Sequence, residues 1–317
     1  VTVWLHGGLR NAVGEREPNV GRPCVAVLEK SAVAVHHRDI ATTVHIMSDL
    51  RKVTTTPKGV VGPRAARQRF RLNRYYPCAE LAGVLDHHWI VEWDLRDQPP
   101  HVQRTLPYPC VNLVFDRRRT GIFGVVSGAF ETTLADAGRV IGVRFRPGAF
   151  RAFFGKPVHW MTDKVLPVST LLGGSDAEAE EAVLGAPDDA GMVSAAESLL
   201  LRVLPPPDPQ VERIHDILQM LQQDSGLTQV RDLAERAGLS ERTLQQLFSG
   251  HVGVTPKWVI CRYRLHEAAD KLAGGDAVDL AELAHALGYF DQAHFTRDFR
   301  KLVGKAPAEY RRDDSQQ

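Results

Sequence analysis

The spacing of hydrophobic residues changes character along the chain. In "HWIVEWDL", Trp89, Val91, Trp93 and Leu95 alternate with polar or smaller partners, the period of two expected of a strand. "CVNLVF" (110–115), "GIFGVV" (121–126) and "VIGVRF" (140–145) are short runs of β type bounded by Pro, Gly, Asp or Arg. Several short strands at this spacing predict a small barrel or sandwich over roughly residues 75–170. "RPGAFRAFFG" then turns helical, with Phe150, Phe153 and Phe154 on one face. Helical composition without strong caps continues from Asp176 to Leu204, until "PPPDP" (205–209) interrupts it as a semi-rigid extended spacer. Beyond the prolines the period is helical throughout, opening with Val211, Ile214, Leu218 and Leu221 on one stripe.

The helical part repeats itself. Leu233, Ala234 and Gly238 recur as Leu283, Ala284 and Gly288 at an offset of fifty, and Phe248, Gly253 and Pro256 recur as Phe299, Gly304 and Pro307 at fifty-one. The slip of one falls where "GLS" becomes "GYFD", in a turn, which absorbs an extra residue more easily than a helix does. Each copy reads as helix, tight turn, helix. Small Ala234 and Ala284 allow close approach, Gly238 and Gly288 suit a left-handed helix end, and Ser240 and Asp291 are natural N-caps of the second helix. Leu244, Leu247 and Phe248 face inward in the first copy, and Phe295 and Phe299 in the second. Arg242, Thr243, Gln245 and Gln246 are left outside, as are Gln292, Ala293, His294 and Arg297. Arg and Gln suit base edges in the major groove, so these eight are the expected base-reading residues. Pro256 to Ala273 predicts a connecting helix of eighteen residues, about 27 Å long at 1.5 Å per residue. One duplex turn separates successive major-groove faces by about 34 Å, so such a rod could hold both reading helices over one side of B-DNA.

Composition adds limits. The 317 residues carry 39 Lys and Arg against 38 Asp and Glu, so net charge names no partner. From Val211 onward acids slightly outnumber bases, which predicts modest non-specific affinity and a shallow salt dependence. Phosphate contacts are then expected from local placement. The candidates are Lys257, Arg262, Arg264, Arg300, Lys301 and Lys305, with Ser240, Asp291 and Thr296 at or near the caps. Residues 1–65 open on Val1, are basic and hold no sustained apolar period, which suggests a weakly ordered basic extension. No apolar run reaches the roughly 20 residues of a membrane span and no leader pattern is visible, so a cytoplasmic location is expected. Cys24, Cys78, Cys110 and Cys261 form no C-x-x-C pair, and neither a disulfide framework nor a metal site is expected.

"GYFDQAHFTRDFRKLVGKAPAEYRR" resembles the C-terminal signature of the AraC/XylS family of transcription regulators, within a resemblance covering about Val211 to Arg312. The resemblance implies a seven-helix DNA-binding domain whose recognition helices enter adjacent major grooves. By motif position it places base reading on Arg242, Gln245 and Gln246, then on Gln292, Ala293, His294 and Arg297. Gln246 stands where Arg is frequent, and Ala293 has no hydrogen-bonding group for a base. Residues 75–173, through "LPYPCVNLVF" and "GVRFRPGAF", are similar to an uncharacterised sensing segment of one AraC-like branch, implying an effector-sensing or dimerising barrel.

The expected fold class is α+β: a β-rich small barrel or sandwich, then an all-α domain with two helix-turn-helix motifs. The expected divisions are the extension 1–65, a β-rich sensing or dimerisation domain with trailing helices at 66–204, a Pro-rich linker at 205–209 and the DNA-binding domain at 210–317. Double-stranded DNA is the expected partner, with RNA polymerase, a small-molecule effector and a second copy of the chain as further ones. No enzyme is expected: "PCAE" and "PCVN" lack the His-Arg of a fused methyl-accepting repair site, and phosphate-loop, nucleophile-elbow and H-E-x-x-H motifs are absent. Metal binding at His36–His37 or His87–His88 is disfavoured because adjacent strand residues point to opposite faces. The rival reading is an effector-binding module whose helical domain mainly contacts RNA polymerase.

Overall fold

A computed structural model of the protein describes residues 50–55, 59–273 and 279–316. Most of the expected basic extension lies outside the described residues. The described part of it makes antiparallel bridges between Lys52 and Tyr75 and between Val60 and Thr105, and begins helix α1 (Pro63–Arg67). Its composition gave no hint of this, because each bridge depends on a strand edge more than twenty residues away.

The strands are β1 (Arg71–Tyr75), β2 (Leu85–Leu95), β3 (His101–Thr105), β4 (Asn112–Phe115), β5 (Gly121–Phe123), β6 (Phe130–Leu134), β7 (Asp136–Phe145) and β8 (Val165–Leu166). Six of them form one sheet in the order β1-β2-β7-β4-β5-β8, and β3 pairs with β6 as a separate antiparallel ribbon. This is a layered sandwich: β1 and β8 end the sheet and are not bonded to each other.

Both faces of the sheet are covered. Ile90, Leu113, Phe115, Ile141, Val143 and Phe145 point to one side, where they pack with α2 (Phe150–Phe154), α4 (Asp176–Leu184) and α5 (Asp189–Leu201). Between β8 and α4 lies the short helix α3 (Ser169–Leu172). Trp93, Leu95, Val114 and Val140 point to the other side, against Leu134 of the ribbon. Glycines make room for the indoles: Trp89 pairs with Gly142 and Trp93 with Gly138, and a Cβ at either glycine would collide with the ring opposite. A polar clip ties the sheet to α5, where Glu197 accepts from the Cys78 N–H at 2.8 Å and meets His88 Nε2 at 2.9 Å. His87 lies beside Asp86, at 3.2 Å, so the two adjacent histidines diverge as a strand requires. The α5 helix is capped after all: Asp188 accepts from the Gly191 N–H, which corrects the expectation of a capless stretch.

The C-terminal part holds seven helices among the described residues. They are α6 (Pro209–Gln223), α7 (Val230–Arg236), α8 (Glu241–Leu247), α9 (Pro256–Ala273), α10 (Leu280–Ala286), α11 (Gln292–Val303) and α12 (Pro307–Gln316). Pro209, expected in the spacer, is the first residue of α6, with Asp208 as its N-cap. Val211, Ile214, Leu218 and Leu221 are all buried, so the apolar stripe lies against the core.

Two apolar cores serve this part, and the sheet region reaches into both. Val125, just after β5, packs among Ile214, Leu218, Leu244, Phe248 and Val259 around α6–α9. Leu106, just after β3, packs among Leu265, Leu272, Leu283, Phe295 and Phe299 around α9–α11. Polar contacts surround these two insertions. The Ser127 carbonyl accepts from Trp258 Nε1 at 3.0 Å and from Arg262 Nη2 at 2.8 Å, while Asp163 braces Ser127 by accepting from its N–H and hydroxyl. Thr162 Oγ1 donates to the Gly253 carbonyl at 2.6 Å. The Arg144 guanidinium lies 4.1 Å over the Tyr108 ring, which in turn meets His266 at 4.2 Å.

Candidate nucleic-acid interface

Each candidate reading helix is delivered by a turn with the same backbone bonding. In the first copy Gly238 (φ 63°) ends α7, and the Leu239 N–H reaches back to the Ala234 carbonyl at 2.9 Å. In the second, Gly288 (φ 79°) ends α10, and the Tyr289 N–H reaches the Ala284 carbonyl at 3.0 Å. These are left-handed helix ends that glycine adopts without steric cost. Ser240 Oγ then accepts from the Thr243 N–H at 3.1 Å and Asp291 Oδ1 from the His294 N–H at 2.7 Å, so both expected caps are formed.

Burial sorts the second helices as their spacing predicts. Leu244, Leu247, Phe248, Phe295 and Phe299 are buried. Arg242, Thr243, Gln245 and Gln246 are exposed on α8, and Gln292, Ala293, His294 and Arg297 on α11. On the same outer side Thr296 is half-buried. His294 Nε2 lies 3.7 Å from Asp298. The connecting helix α9 runs from Pro256 to Ala273, the eighteen residues expected.

The phosphate candidates divide. Lys257, Arg300 and Lys301 are exposed, and Lys305 is half-buried. Arg262 and Arg264 are 5% and 3% exposed and cannot meet a phosphate in this arrangement, a correction to the expectation. Arg262 lies 4.4 Å from the Trp258 ring and gives its Nη2 to the Ser127 carbonyl; burial lowers its guanidinium pKa to about 10. Arg264 Nη2 donates to the Leu221 and Asp224 carbonyls at 2.6 and 2.9 Å, closing the C-terminal end of α6, and its Nη1 pairs with Glu267 at 2.7 Å. The carbonyl acceptors of Arg262 lie in the sheet region and those of Arg264 at the end of α6, so spacing along α9 could not reveal that either was buried. Sequence reasoning also passed over Phe290, which is 90% exposed in the second turn. Its signal was the extra residue of "GYFD" over "GLS".

The helices on either side of α9 are joined by turns of helix-turn-helix geometry, and comparison with known proteins finds a helix-turn-helix domain over the same residues. Residues 233–313 match the family described as a helix-turn-helix domain. Residues 73–167 match one described as a domain of unknown function (DUF6597). The chain is 39% identical over 79 residues to the HTH-type transcriptional activator RhaS of Pectobacterium carotovorum, 25% of this chain and 28% of that protein. It is 36% identical over 83 residues to a putative AraC-like transcription regulator of Streptomyces lividans, 26% of this chain and 27% of that one. The chain thus spans little over a quarter of the length of these curated relatives. A solved AraC-type DNA-binding domain-containing regulator from Chromobacterium violaceum is similar at 22% identity, over 33% of this chain and 94% of that one, with a TM-score of 0.31. ToxT from Vibrio cholerae is similar at 12% identity, over 77% of this chain and 98% of that one, with a TM-score of 0.33. The C-terminal segment is a helix-turn-helix domain of the AraC type, and a domain of unknown function precedes it. Among the described residues no helix is long and apolar enough to cross a membrane, and no cluster of side chains suits a metal ion.

Proposed function

We propose that this protein is a cytoplasmic, sequence-specific transcription regulator that reads two adjacent major-groove segments of double-stranded DNA with α8 and α11. The observation that carries this reading is the pair of capped helices, each with a buried apolar side and an exposed polar one, one preceding α9 in the chain and one following it. Eighteen residues give α9 a length of about 27 Å, close to the roughly 34 Å of one duplex turn. The helix-turn-helix match and the regulatory names of the relatives support the same reading. Base contacts fall to Arg242, Thr243, Gln245 and Gln246, then to Gln292, Ala293, His294 and Arg297. Phosphate contacts fall to Lys257, Arg300, Lys301 and Lys305, with Thr296 and the caps Ser240 and Asp291 beside them. The boundary at 205–209 divides a sensing region from the reading region. RNA polymerase, a small-molecule effector and a second copy of the chain are further partners of this reading.

Footprinting the full chain on duplexes selected from a random library tests it. Two protected patches about one duplex turn apart are expected. Arg297→Ala should weaken binding by about 1–3 kcal/mol and relax preference at a single base pair. Unchanged affinity and preference in that variant would remove the reading role from Arg297, and a full chain that protects no site would favour the rival reading, a helical domain that mainly contacts RNA polymerase.

A further inference from the structure

The two turns are superimposable in bonding up to Leu239 and Tyr289, whose N–H groups both reach back five residues to an alanine carbonyl. The next residue caps α8 in the first copy, as Ser240, whereas in the second copy Phe290 intervenes before the cap Asp291. Phe290 is therefore the inserted residue itself.

The residue before an N-cap usually earns its apolar character by packing on the fourth helical residue, a hydrophobic staple. Leu239 follows this rule, packing in the same cluster as Leu244. In the second copy the fourth helical residue is Phe295, fully buried, and it is Tyr289 that packs against it, with ring centroids 5.5 Å apart. Phe290 is left 90% exposed. Folding makes no use of its ring, and a polar residue would serve the turn better. Two residues further along the chain, at the N-terminal end of α11, Gln292, Ala293 and His294 are exposed as well. The N-terminal end of a recognition helix is the part that meets base edges.

We propose that Phe290, with Ala293 beside it, forms an apolar contact to the 5-methyl group of a thymine, making the second copy a selector for thymine at one position of its half-site. This rests on the DNA-reading function proposed above. The chemistry is that of the major groove, where thymine alone among the four bases offers a methyl group and phenylalanine and alanine are suited to it.

The test uses the full chain and duplexes carrying its selected site, with each thymine replaced in turn by uracil, which lacks only the methyl group. Burial of one such group corresponds to about fourfold in affinity. The wild type is expected to lose about fourfold at one thymine, in the half-site whose preference Arg297→Ala relaxes. Phe290→Ser should bind the unmodified site about fourfold more weakly and be indifferent to that uracil, whereas Phe290→Leu should retain the sensitivity. Both variants should melt as the wild type does, since the ring packs on nothing. Equal uracil sensitivity in Phe290→Ser and wild type would overturn the assignment while leaving sequence-specific binding intact. So would a Phe290→Ser protein that binds normally but no longer supports transcription by purified RNA polymerase, which would assign the ring to a protein partner. If the full chain selects no sequence from the library, the DNA-reading function fails and this assignment with it.

Discussion

Arg264 and Arg300 lie on neighbouring helices, and their surroundings give them opposite work. Arg264 is buried and holds the carbonyls at the end of α6, whereas Arg300 is exposed on α11. Arg264→Ala takes the guanidinium away from those buried carbonyls and leaves Glu267 with Lys271 alone, so unfolding in urea should show a loss of about 1–3 kcal/mol. The salt slope of non-specific DNA binding should not change in that variant. Arg300→Ala should do the reverse, lowering the slope by about one with stability intact. At this scale the sequence was most legible where the physics is local. Ser240 and Asp291 bond to N–H groups three residues away, so a reader of the turn can place them. Arg262 was not legible because its acceptor, Ser127, is 135 residues distant.

The strands repeat that lesson. β2 was visible as an alternating run and part of β7 as a short run of β type, but β1, β3 and β6 carry mostly polar residues and are strands because a neighbour supplies the bonding edge. The clip between β2 and α5 was equally hidden, as its partners His88 and Glu197 are 109 residues apart. Burial pushes the Glu197 carboxyl up, but the bonds from His88 and the Cys78 N–H outweigh it and hold the carboxyl below its ordinary value. A carboxylate depressed on folding stabilises the protein fully above its unfolded value, about 4.3, and that contribution fades as pH falls through the lower folded value. Melting temperature followed from pH 6 downwards should therefore drop below about pH 4.3 in the wild type. Glu197→Gln, which cannot titrate, should melt lower at pH 6 and show a flatter profile over the acid range.

Across the whole molecule, the sheet region reaches into each helix-turn-helix core, with Val125 in the first and Leu106 in the second, where half-buried Val61 packs as well. Leu106→Ala should cost about 2–5 kcal/mol. Amide exchange should quicken in α10 and α11 more than in α7 and α8. Val125→Ala should show the opposite regional pattern at smaller cost, since it removes fewer carbon atoms. The two cores meet along α9, and the sheet region touches that helix at Trp258, Arg262 and His266. The arrangement of the two helix-turn-helix units is thus braced from the sheet region as well as by the helix that joins them.

Domain swapping between regulators is accordingly not a free exchange of parts here. A chimaera that replaced everything before the prolines with another domain would leave two greasy sockets, one per helical core, open to water. Unless the incoming domain carries its own plugs at matching positions, the hybrid would clump or hold its helices slackly, however faithfully their sequence was copied.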